Sequence, residues 1–222
     1  MFQFWGDGSQ LAKDLVDAVV VRSTDNFNWT FIFILAVVFY VYWTEINKKN
    51  FHAVYAGLAL YGVHWLYEIC NAIICHIWGY PLWTVSNQST TFVLLIGVCW
   101  ELSMMFALAG IISFKMLPQD REKRYFAGNG KKGISCKLVG ALEMALLFGL
   151  FESFLAGTSN NSFIWVYKWW GVLPVFITTY IPFFLASNYV PDMKPENRKK
   201  FLLGIWGFDA LALIILIPLG VI

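Results

Sequence analysis

Charge is scarce in this 222-residue chain: Asp, Glu, Lys and Arg together make up 14% of it, and there are only three His and four Cys. Against 59% hydrophobic residues and a mean hydropathy of +0.60, that scarcity excludes an ordinary soluble domain and defines a polytopic membrane protein. Cys70, Cys75 and Cys99 fall in apolar stretches and Cys136 beside a basic one, which excludes a disulfide framework. Three histidines, His52, His64 and His76, are too few for the His-rich sites of membrane di-iron oxidases. A Walker-type glycine loop, a CxxC pair and a GxSxG elbow are all absent. Gly128 and Gly130 in FAGNGKKG read as turn glycines, with no strand expected before them to build a phosphate cradle.

What is abundant is apolar sequence. A spanning helix needs about 20 mostly apolar residues, and six segments qualify, near 29–44, 51–78, 91–116, 134–156, 163–189 and 201–222. The expected fold is therefore all-α, a membrane bundle of about six transmembrane helices. Residues 29–222 form its single helical domain and residues 1–28 an N-terminal segment. In that segment Leu11, Leu15, Ala18 and Val19 recur at helical spacing, with Lys13, Asp14, Asp17 and Arg22 mostly off the stripe, as in a short interfacial amphipathic helix.

Thirteen of the 16 basic residues sit in three places: Lys48 and Lys49, the stretch from Lys115 to Lys137, and the linker holding Lys194, Arg198, Lys199 and Lys200. The intervening GYPLWTVSNQST and GTSNNS carry no charge. Because Lys and Arg accumulate in short cytoplasmic loops, both termini are expected outside the cytosol, in a multi-pass protein of the plasma membrane or endoplasmic reticulum. The N-x-[ST] sequons at Asn28, Asn87 and Asn160 fall on the non-cytosolic side but too close to the bilayer to favour glycosylation. The basic loop from Lys115 to Lys132 is a solvated cytosolic loop near anionic lipid, so no nucleic-acid partner is expected.

The chemistry must lie within the membrane. Measured from the midpoint of each apolar segment, Glu68, Glu101, Glu143 and Asp209 all fall within about four residues, or roughly 6 Å, of the bilayer centre. Facing lipid, each charged carboxylate would cost at least about 2.5 kcal/mol. They are thus expected to converge inside the bundle as neutral acids able to donate protons. His64, Glu68, Asn71 and Cys75, at i, i+4, i+7 and i+11, form one polar stripe, and the i, i+4 spacing puts His64 within reach of Glu68. Glu152 lies nearer the surface and out of phase with Glu143, as an interfacial or entrance group. Trp65, Tyr67, Trp100 and Trp206 each lie one to three residues from an acid. Aromatic faces beside a proton donor suit a substrate that becomes cationic on carbon. Trp29, Trp43, Trp78, Trp83 and Trp165 fit an interfacial belt.

The pattern His64-x-x-x-Glu68 followed by VCWE ending at Glu101 resembles the emopamil-binding sterol isomerase (EXPERA) superfamily, where a His and two Glu shift a double bond by protonation and deprotonation. The Asn-x-x-Trp and Leu-Pro step of that family has its counterpart in VYKWWGVLP, with Trp170 and Pro174 present and Tyr167 at the Asn place. HWLYE at Glu68 and WGFD at Asp209 resemble the integral-membrane terpene cyclases of meroterpenoid pathways, although His64 and Tyr67 replace an Asn and a Trp there. Both resemblances imply an intramembrane acid–base enzyme, an isomerase or terpene cyclase, that protonates a double bond or epoxide of an isoprenoid or sterol-like lipid without a cofactor.

On this reading Glu68, His64, Glu101 and Asp209 are catalytic, and Trp65, Tyr67, Asn71, Trp100, Glu143, Trp170 and Trp206 bind substrate. Two alternatives use the same carboxyls. One is a proton- or cation-coupled transporter or channel, supported by the similarity of LLIGVCWEL to LLGIWGFDAL; the other is a metal site built from His64, Glu68, Glu101, Glu143 and Asp209.

Overall fold

A computed structural model describes residues 2–25, 27, 29, 31–87, 90–128, 132–158 and 163–222. Asn28, Asn160 and Gly130 lie outside the described residues. The protein is mostly helical, and among the described residues three helices are long and apolar enough to cross a membrane: Phe51–Trp78, Cys136–Thr158 and Val172–Asp192.

Helix α1 (Gln10–Asp17) starts at Ser9, whose hydroxyl accepts from the Ala12 amide at 3.2 Å, and it buries Ala12 and Val16. Helices α2 (Phe31–Asn47) and α3 (Phe51–Trp78) follow. α3 ends where Gly79 takes a left-handed φ of 85° that a side chain would strain. Strand β1 (Trp83–Val85) and the hairpin of β2 (Val93–Leu95) with β3 (Val98–Cys99) precede α4 (Trp100–Met116). The third apolar segment is thus helical only from Trp100. Its first nine residues are apolar because the hairpin buries Val93, Leu95, Val98 and Cys99, not because they span lipid.

Beyond the basic loop and its short β4 (Arg124–Tyr125) and β5 (Ile134–Ser135) comes α5 (Cys136–Thr158), then β6 (Phe163–Trp165), paired antiparallel with β1. The next helix is broken into α6 (Val172–Val175), a π-helical turn (Phe176–Tyr180) and α7 (Ile181–Tyr189). Pro182 lacks an N–H for the carbonyl four residues earlier. That carbonyl, on Thr178, instead accepts from the Tyr67 hydroxyl at 2.7 Å. A 3₁₀ turn leads to α8 (Pro195–Leu216).

α3 is the central helix, packed against α4, α7 and α8, while α5 packs on α7. At the Lys/Arg-rich end, Lys115 pairs with Glu45 and buried Lys137 with Asp192 at 2.5 Å. The other end carries a cap built from the β1–β6 ribbon and the N-terminal segment. The Gly6 amide donates to Trp170 O at 2.7 Å, the Asp7 amide to Trp165 O at 3.0 Å and the Val172 amide to Phe4 O at 3.1 Å. A Cβ on Gly6 or Gly171 would collide with the facing backbone, so both close approaches require glycine. Asn87 bonds in both directions to the Val20 backbone, at 2.7 and 2.8 Å, so a glycan there would have to break this tie.

Candidate acid–base site

β1 and β6 set Trp83 directly opposite Trp165, so both indoles leave the ribbon on the same face. Each reaches a carboxyl. Trp83 Nε1 donates to both oxygens of Glu68 at 3.3 Å, and Trp165 Nε1 donates to Glu152 Oε1 at 2.6 Å. The Tyr180 hydroxyl, delivered by the π turn, donates to the other oxygen of Glu152. Asn71 fixes the loop that carries Trp83: its amide donates to Trp83 O at 2.9 Å and its carbonyl accepts from the Leu82 amide at 2.8 Å.

Glu68 and Glu152 face one small cavity of about 40 Å³, enough for two or three waters. His64 lies beside Glu68, Nδ1 to Oε1 at 3.7 Å, and its ring stacks on Phe106 at 4.2 Å between centroids. His64 Nε2 and Thr179 Oγ1 are buried without a hydrogen-bond partner among the described residues, and both residues line the cavity. Phe151 and Phe183 complete an aromatic wall. Two carboxyls, an imidazole, a phenol and a free hydroxyl therefore converge on a space sheltered by apolar rings. That set can donate and accept protons at carbon while excluding bulk water.

Of the residues expected from sequence, His64 and Glu68 stand at the centre of this cavity. Asn71 and Tyr67 brace it from behind, through the Trp83 loop and the Thr178 carbonyl. Trp170 stacks on Trp83 at 5.9 Å. The expected convergence of four mid-depth acids is not what the structure brings together. Glu101 sits in the first turn of α4, where Thr91 donates to it from its amide at 2.8 Å and from its hydroxyl. The first turn of a helix is a favourable place for a carboxylate.

Asp209 is 2% exposed between α8 and α3, outside the cavity lining. Glu143 is exposed and borders a separate cavity of about 220 Å³ toward the basic end. The donors weighed for a metal therefore lie apart, and no three His, Cys, Asp or Glu gather as ligands among the described residues. The aromatics flanking those acids line other joints: Trp100 stacks on Phe31, Trp206 donates to Leu58 O at 3.2 Å, and Trp65 packs beside Ile69 and Leu95.

The sequence reads Glu152 as an interfacial or entrance group and Trp83 and Trp165 as members of an interfacial belt, whereas all three are buried, Glu152 on the cavity and each indole on a carboxyl; α5 carries a usable signal for Glu152. Ala141, Ala145, Gly149 and Ser153 recur every four residues and mark the closely packed face. Glu152 lies on that side, whereas Glu143 shares its side with exposed Leu146, Leu147 and Leu150.

Neither oxygen of Asp209 has a partner among the described residues. Replacing it by Leu removes the desolvation penalty of an unsatisfied buried acid. Thermal unfolding in detergent, followed by tryptophan fluorescence, is expected to show a gain of about 1–3 kcal/mol. A loss would mean that Asp209 holds a partner its surroundings do not display.

Residues 12–218 match the model of an uncharacterized membrane protein family, and the chain belongs to that family. Among its relatives is an uncharacterized protein of Archaeoglobus fulgidus, 36% identical over 200 residues that cover 88% of this chain and 91% of the relative. No solved structure matches the chain. Membership in a membrane family, together with three helices of spanning length, assigns the chain to a membrane.

Proposed function

We propose that this protein is an intramembrane acid–base enzyme that protonates a double bond, or an epoxide, of an isoprenoid or sterol-like lipid and so isomerises or cyclises it. The observation that carries the reading is the facing pair of carboxyls, Glu68 and Glu152, bonded differently on one aromatic-walled cavity. Glu152 receives two N–H or O–H donors, one of them at 2.6 Å, and is the more firmly held of the two as an acceptor. Glu68 has only one indole N–H shared between its oxygens at 3.3 Å, a weaker hold that leaves its carboxyl the freer of the two to present a proton to the cavity.

In the reaction, the π pair of the substrate forms a C–H bond to the Glu68 proton, and the O–H pair stays on the Glu68 carboxylate. The cation on the neighbouring carbon rests against Phe106 and Phe183. Loss of an adjacent proton to the Glu152 carboxylate forms the new double bond, directly or after a second double bond has closed a ring. The proton then returns across the cavity from Glu152 to Glu68. Nothing is oxidised or reduced, the product has the mass of the substrate, and no cofactor is required. His64 and Asn71 are positioning residues in this scheme. The six-crossing topology with both termini outside the cytosol is part of the proposal, supported by the alternation of basic and uncharged connections.

Lipid mass spectrometry of membranes carrying the chain, supplied with an unsaturated isoprenoid, tests the reading. A species changed in structure at constant mass is expected. Identical profiles with and without the chain would overturn it.

Gly97 supplies a sharper check. A Cβ there would lie 2.4 Å from Asn71 Nδ2 and 2.6 Å from both Glu68 Oε2 and Trp83 Nε1, so Gly97→Ala must displace the bonds that hold the acid and the Trp83 loop. Conversion is expected to fall about 10²-fold, with membrane insertion unchanged and stability lowered by about 1–3 kcal/mol. Unchanged conversion would show that the Glu68–Trp83 geometry is unimportant.

A proton- or cation-coupled transporter is the second reading. The π turn interrupts Val172–Asp192 and delivers Thr179 and Tyr180 to the carboxyls, and broken helices with polar groups at mid-depth serve transporters. Proton flux into dye-loaded vesicles without any lipid conversion would favour it.

A further inference from the structure

The acid cavity holds water-sized contents, so a lipid must wait elsewhere. A groove of about 610 Å³, inside the roughly 300–1,000 Å³ range of ligand sites, runs between α2, α3, α4 and α8. Phe39 and Trp43 of α2, Leu58 and Tyr61 of α3, Ala107 of α4 and Trp206 of α8 line it. Three polar groups on its wall are bonded within the protein: Tyr42 donates to Ala107 O at 2.9 Å, Trp206 to Leu58 O at 3.2 Å, and Tyr61 shares a 2.7 Å bond with Ser103. The groove therefore offers a guest hydrocarbon contact and little else.

It also adjoins the acid site through a wall about one side chain thick. Tyr61 stacks on His64 at 6.1 Å, His64 faces the acid cavity, and Phe106 in the cavity wall is followed directly by Ala107 in the groove wall. α2 is tied to α4 by Glu45 on Lys115, by Tyr42 on Ala107 O and by Phe31 stacked on Trp100. Between them Phe39, Tyr40 and Trp43 are exposed, leaving a lateral way in from the bilayer.

We propose that this groove binds the hydrocarbon chain of the isoprenoid substrate and that Tyr61 is the partition that moves to admit it to Glu68. The assignment of the chain as substrate rests on the acid–base reading above; the binding of an isoprenoid chain in the groove does not.

The test uses the full chain in detergent and a geranylgeraniol that carries a diazirine, with adducts mapped by peptide mass spectrometry. Adducts are expected to concentrate on Phe39, Trp43 and Trp206. They should fall about tenfold in either Ala107→Trp or Leu58→Trp, two independent fillers of the groove. Glu68→Gln should label like the wild type. Adducts spread equally over exposed Leu146 and Leu211, or fillers that label normally, would overturn the groove. Fillers that lose labelling yet convert lipid normally would overturn its role in feeding Glu68. Localised labelling with no conversion by the wild type would leave the groove standing and overturn the acid–base reading.

Discussion

Glu68→Gln is expected to reduce lipid conversion by at least about 10³-fold, since it removes the one group that gives a proton to carbon. The amide has the shape of the acid and its carbonyl can still accept from Trp83 Nε1, so the α3–β1 joint has no reason to open. Equal membrane insertion and a thermal midpoint close to that of the wild type should accompany the loss. Measuring both in one preparation separates chemistry from folding. A variant that inserts equally and still converts lipid would remove Glu68 from the mechanism.

The second large effect concerns Glu152 and divides the reaction in two. In Glu152→Gln the cation still forms at Glu68, but its proton acceptor across the cavity is gone. Product formation is expected to fall about 10²-fold. Return of a proton to the Glu68 carboxylate regenerates the substrate, so substrate recovered from heavy water should carry deuterium on carbon. Glu68→Gln should give neither product nor exchange. Tyr180→Phe removes one of the two donors to Glu152 and is expected to give a smaller loss of the same pattern. If Glu152→Gln abolishes exchange as completely as Glu68→Gln, the two carboxyls do not have separate roles. These outcomes are read from isotope content, which a merely loosened bundle would not partition in this way.

How far the site was legible in the sequence depended on whether its geometry is local. The His64, Glu68 and Asn71 stripe could be read directly because one helix imposes its own 3.6-residue period. A helix in the N-terminal segment is legible for the same reason, although α1 buries Ala12 and Val16 against the protein and not the expected Leu11, Leu15, Ala18 and Val19 stripe. Glu101 reads as a mid-depth acid because residues 91–99 are as apolar as a span. That apolarity serves a buried hairpin, so the helix begins nine residues later and its acid lies at its end.

Asp209 and the tryptophans beside the acids had the right neighbours in sequence, but no one-helix period says which partner each face meets. Trp83 and Trp165 are the opposite case. Their composition and position fit an interfacial belt, while their role follows from the pairing of two strands far apart in the chain. Two residues meet beside the π turn: Pro182, which leaves the Thr178 carbonyl without its helical donor, and Tyr67, whose hydroxyl takes that carbonyl up. Only the first of those is visible in a one-dimensional reading.

The most direct test of the account is a single turnover in heavy water. Wild-type protein in vesicles, equilibrated so that Glu68 carries deuterium, is mixed with less than one equivalent of an unsaturated isoprenoid, and the product is analysed by mass spectrometry. One deuterium on carbon in each product molecule is the result expected if Glu68 gives its proton to the double bond. A product formed at full yield with no deuterium on carbon would contradict it.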